Sequence, residues 1–98
     1  MKNQVAFAGA ATTGLIATNT ERSQASYAVE ACIAVLRQCG LGPADVDGVC
    51  GSYPAAHRMQ EMLGLESVTW FANPMIPVIN HIAAATSAVA AGQCEVVL

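Results

Sequence analysis

The sequence holds four cysteines, Cys32, Cys39, Cys50 and Cys94, and two histidines, His57 and His81, types suited to nucleophilic and proton-transfer chemistry. No two cysteines stand as C-x-x-C, so the spacing of a zinc site or a dithiol redox pair is absent. Cys50 follows the apolar run at Val49, is bracketed by Gly48 and Gly51, and has His57 downstream. A thiolate nucleophile needs exposure and a nearby base, and a tight glycine-flanked turn could supply the exposure. The same residues suit a thiol packed on a buried strand. Spacing alone carries no geometry, so the packed thiol is the preferred reading. The run Gly9-Ala10-Ala11-Thr12-Thr13-Gly14 offers a weak phosphate-loop pattern. A dinucleotide fingerprint needs G-x-G-x-x-G opening straight into a helix; here a glycine is missing and a polar loop intervenes.

The elements that must position these groups centre on Asn73–Leu98. From Val78 to Ala91 only Asn80, His81, Thr86 and Ser87 interrupt a run of small and apolar residues. Ala83–Ala85 and Ala88–Ala91 favour helix despite the branched Val78, Ile79, Ile82 and Val89. Pro77 suits the first turn, where its missing N–H costs nothing. Gly92 is placed to end the helix in a left-handed conformation, and Glu95 then leads into the strand-type run Val96-Val97-Leu98. A helix apolar on every side must be covered on every side. At about 14 residues it is shorter than the roughly 20 of a membrane span. The expectation is a central core helix.

Composition points the same way. The chain has 98 residues, 54% hydrophobic and 11% charged, whereas charged residues make up about 25% of an ordinary globular domain. A domain of this size buries a smaller fraction of its surface than a large one. The apolar excess therefore favours either extensive oligomerisation or the N-terminal portion (residues 1–98) of a longer protein; the expectation is the latter. The net charge of −3 argues against nucleic-acid binding. Lys2 is followed by only a short apolar run, unlike a secretory signal, which points to a cytoplasmic protein with reduced thiols.

Taken in order, Gln4–Ala10 is expected to be a central strand and Ala11–Ser23 a surface loop. Ser23 is a good N-cap for a helix over Gln24–Cys39, whose Ala25, Val29, Cys32, Ile33 and Leu36 share one face. Cys32 and Cys39 read as small core fillers. Gly40 stops the helix and Leu41 folds back on it. Pro43 opens a single turn, ended by Asp47-Gly48. Val49–Ser52 reads as a second strand and Pro54–Leu63 as a shorter helix, with Ala55, Met59, Met62 and Leu63 inward. Gly64-Leu65 repeats the glycine–leucine stop. Ser67–Phe71 is extended, and Asn73-Pro74 is a turn signal. This alternation is α/β, with helices on a mixed or parallel sheet.

Three stretches together resemble the thiolase superfamily. They are VAFAGAATT; ERSQASYAVEACIAVLRQCGLGPADVDGV; and the alanine-rich helix closing AAGQCEVVL. The likeness is strongest to the N-terminal segment of the sterol-carrier-protein (lipid-transfer-protein) thiolase branch. It covers nearly the whole chain, and its most specific pieces are scaffold signatures: Ala28–Ala31 through Gly40-Leu41, Pro43 and Asp45–Val49, and Ala90–Val97. The resemblance implies the N-terminal part of a layered α/β/α/β/α fold and a homodimer. It further implies acyl-CoA thioester substrates with C–C bond formation or cleavage, and no cofactor beyond the coenzyme A of the substrate.

The family's nucleophilic cysteine sits at the start of the central helix, where the helix end stabilises a thiolate. Counting back from Gly92 by the family's spacing lands on Met75, flanked by Pro74, Ile76 and Pro77. A thioether cannot form an acyl-enzyme. Asn80 and His81, just inside the helix, could face an acyl pocket as donor or base, although a lone histidine on an apolar helix is more often a hydrogen-bonded core residue. Trp70 and Phe71 could line an acyl or sterol site, or pack in the core. The functional expectation is part of a thiolase-like acyltransferase. The alternatives are a Cys-less thiolase-fold retro-aldolase working with a small accessory protein, and a non-catalytic lipid- or acyl-CoA-binding or assembly subunit. A nucleotide-binding domain rests only on Gly9–Gly14.

Overall fold

A computed structural model describes residues 5–13, 23–52, 54–75 and 77–98. In chain order they form α1 (Gln24–Cys39), a 3-10 turn (Pro43–Asp45), β1 (Gly48–Cys50), α2 (Ala56–Leu63), β2 (Trp70–Ala72) and α3 (Ile79–Ala90). The result is a small mixed α/β fold whose two strands run parallel, with Gly48 opposite Trp70 and Cys50 opposite Ala72. The C-terminal residues pair with the other edge of β1 through a parallel bridge between Gly48 and Val97. Val96 and Leu98 carbonyls accept from Gly48 and Cys50 N–H at 3.0 and 2.9 Å, and Leu98 N–H donates to the Gly48 carbonyl at 3.0 Å. β1 is thus flanked on both sides.

Each helix ends by the same device, and the sequence announces it. Glycines 40, 64 and 92 adopt φ of 71°, 66° and 77°, a region where a Cβ is costly. The residue after each glycine donates back to the last turn: Leu41 to Leu36, Leu65 to Gln60, and Gln93 to Ala88. This is the Schellman arrangement. In two of the three cases the returning residue is a leucine that packs on the core. At the other end of α1, the Ser23 hydroxyl accepts from Ser26 N–H at 3.1 Å, the expected N-cap.

The core lies between α1, α2 and β1. Leu36, Val46, Val49, Ala56, Met59 and Leu65 form it, with Val29, Cys32, Leu41, Met62 and Leu63 against it. Successive strand residues face opposite ways. Val49 enters this core, whereas Cys50 turns toward α3, so α2 and α3 contact β1 from opposite faces.

Four expectations need correction. Gln4 lies outside the described residues, and Val5–Ala10 is irregular rather than a strand. No described strand offers it a ladder, and an extended segment without one has no regular partner for its backbone groups. Phe7 is 80% exposed, and the segment instead rests on the end of α1, where Ala10 N–H donates to Gln38 Oε1 at 3.0 Å. Second, the described residues do not cover the central helix on all sides. Among the residues of α3 only Ala88 is buried, because β1 is the main described element packed on it and covers one face. Third, Ile33 sits at the margin of its helix face and is exposed. Fourth, β1 and β2 are offset from the expected strands by a residue or more, since pairing partners rather than apolar runs set their ends.

Candidate functional site

Of the residues singled out for chemistry, Met75, Asn80 and His81 at the start of α3 and Cys50 at the end of β1 are brought together. The segment before α3 carries Met75, 81% exposed. Asn80 Nδ2 donates to the Met75 carbonyl at 2.7 Å and ties this segment to the first turn of the helix. Through that bond Asn80 holds the approach to α3, where no side chain caps the helix. Beside it, His81 is half-buried, and its Nδ1 is buried with no hydrogen-bond partner among the described residues.

Cys50 reaches this region from the end of β1. Its Sγ donates to the His81 carbonyl oxygen at 3.7 Å. Burial, and then the nearby Cys94 thiol, push the Cys50 pKa above the usual thiol range. A thiol that spends its proton on a carbonyl and is disfavoured as an anion is the opposite of an activated nucleophile. His57 is exposed on α2, across the sheet from the face Cys50 presents to α3, so the two do not form a Cys–His pair. Cys94 is buried, and its pKa is raised by burial and then by the Asp47 carboxylate. Cys32 is raised by burial alone. Cys94 is buried and Cys32 and Cys50 are half-buried.

Trp70 and Phe71 are neighbours on β2 and face opposite sides of it. Trp70 lies against Gly48, where an added Cβ would come within 3.2 Å of the indole Cε3. Phe71 is 56% exposed. They do not line one cavity. Two open surface hollows lie on α1 and α2, and neither touches Met75, Asn80 or His81.

Two residues matter more than their sequence positions suggested. Asp47, read as the end of a turn, is a junction for three segments. Its carboxylate accepts from Glu95 N–H at 2.9 and 3.0 Å and from Val96 N–H at 2.8 Å. Its carbonyl accepts from Thr69 and Trp70 N–H at 2.9 and 3.2 Å. One residue thereby sets the start of β1, the approach to β2 and the C-terminal strand residues. Asn73, read as a turn signal, caps α2 from a distance: its Oδ1 accepts from Ala56 N–H at 2.7 Å, where the helix's own Ala55 offers no side-chain acceptor. Nothing local marks either role; both depend on which segments the fold brings together.

The glycine-rich stretch fares differently. Gly14 lies outside the described residues, and Gly9 sits against the C-terminal end of α1, where an added Cβ would collide with Gln38 Oε1 and lie 2.9 Å from Cys39 Sγ. Phosphate sites use helix N-termini, whose N–H groups point outward. The glycine is accounted for by close packing.

Among the described residues there is no cluster of three or more His, Cys, Asp or Glu able to hold a metal ion. No described helix is long and apolar enough to cross a membrane. No known protein family, curated protein or solved structure matches the chain.

Proposed function

We propose that the chain is the N-terminal part of a thiolase-like protein that acts on acyl-CoA thioesters, making or breaking a C–C bond. The observation that carries this reading is the way β1 is built into the fold. It lies between β2 and the C-terminal residues, all parallel, with α2 on one face and the alanine-rich α3 on the other. That arrangement supports the reading as one half of a layered α/β/α/β/α fold, in which the open side of α3 would face the remaining layers. The most specific of the signatures quoted above fall on α1, the Pro43 turn, β1 and the α3 exit, whereas VAFAGAATT falls on the irregular segment before α1.

Within this reading the start of α3 has no acyl-accepting thiol. Met75 stands there with a thioether, and the Cys50 thiol donates to the His81 carbonyl and is disfavoured as an anion by burial. The chemistry that fits is retro-aldol cleavage of a β-hydroxyacyl-CoA, which forms no acyl-enzyme. A base takes the hydroxyl proton, the Cα–Cβ bond breaks, and an aldehyde or ketone leaves. The shortened acyl-CoA enolate then takes up a proton. His81, the titratable side chain next to Asn80 on α3, is the candidate proton carrier or donor on this segment; Asn80 positions the loop. The expected partners are a second copy of the chain and a small accessory protein.

The test is product analysis with the native gene product, a β-hydroxyacyl-CoA and, separately, a β-ketoacyl-CoA plus free CoA. A carbonyl product with a shortened CoA ester supports the retro-aldol reading. Acyl transfer to free CoA would support thiolysis and count against it. A second reading, a non-catalytic acyl-CoA-binding or assembly subunit, draws on the exposed Met75, Val78 and Ile79 around an inert thiol. Saturable acyl-CoA binding with no turnover of either substrate, accessory protein included, would favour it.

A further inference from the structure

We draw no further inference here: the strongest candidate, the exposed apolar surface of Met75, Val78 and Ile79 at the start of α3, is an unpartnered face, and nothing in the structure shows what covers it.

Discussion

Removing the Asp47 carboxylate should loosen the C-terminal strand residues before it loosens anything else. In Asp47→Ala, the Glu95 and Val96 N–H groups lose acceptors at 2.8–3.0 Å. The Glu95 bonds are exposed and water can replace them. The Val96 bond is part-buried and sets the scale. A hydrogen bond to a charged acceptor contributes roughly 1.5–3 kcal/mol. A loss of about 2 kcal/mol corresponds to a roughly 30-fold faster opening-limited exchange, since each 1.4 kcal/mol is about tenfold. The assay is amide hydrogen exchange in the folded native protein, comparing Val96 and Leu98 with Met59 and Met62 of α2 as internal reference. The expected pattern is a large rise at Val96 and Leu98 and little change in α2. Asp47→Asn keeps one carbonyl oxygen for Val96 N–H and should show a smaller rise. Exchange at Val96 and Leu98 within twofold of wild type in Asp47→Ala would refute the reasoning, because the C-terminal pairing would then be held by the Gly48 and Cys50 ladder alone.

Gly48→Ala should destabilise the fold, since the added Cβ would meet Val97 Cγ2 at 2.9 Å and Cys94 Sγ at 3.0 Å; overpacking of this kind costs about 1–3 kcal/mol, and an unchanged thermal midpoint would mean those neighbours yield freely. Asn73→Ala should cost about 1 kcal/mol by uncapping α2, read as a lower helix signal and midpoint, with Asn73→Asp largely retaining both. The folded-state pKa values of Cys32, Cys50 and Cys94 are all raised. Their contribution to stability is therefore complete below the unfolded thiol pKa of about 8.5 and is lost as pH rises through the higher folded values. Alkaline melting should show that fall, Cys50→Ala with Cys94→Ala should flatten it, and iodoacetamide at pH 7 should modify these three thiols slowly in the folded protein and quickly after denaturation.

Local signals in this sequence are strong where a single residue determines an outcome. The Ser23 cap, the glycine stops at 40, 64 and 92, and the helical face of Val29, Cys32 and Leu36 all depend on neighbours within a turn or two, and all three helices stand within a residue or two of where those signals place them. Strands are less legible. β1 and β2 are each three residues long, and their limits follow from what lies alongside, so Val5–Ala10 with its suitable residues is irregular for want of a neighbour. The composition of α3 shows that the helix suits burial, yet burial also needs covering layers, and among the described elements β1 is the main one packed on it. At the candidate site, the polar residues of the α3 run are visible in the sequence, but their division of labour is not. Asn80 holds Met75, and His81 Nδ1 has no partner among the described residues, because loop geometry rather than residue type decides which side chain meets a carbonyl. Asp47 and Asn73 are legible only as turn residues; their partners lie far along the chain.

The most direct test of the retro-aldol reading is mass spectrometry of the native gene product incubated with a β-hydroxyacyl-CoA, scoring both small-molecule products and covalent acyl adducts on the protein. The expected result is a carbonyl compound and a shortened CoA ester, with no acyl group on Cys32, Cys39, Cys50 or Cys94. Intact substrate after prolonged incubation with the accessory protein, or an acyl adduct on Cys50, would contradict it.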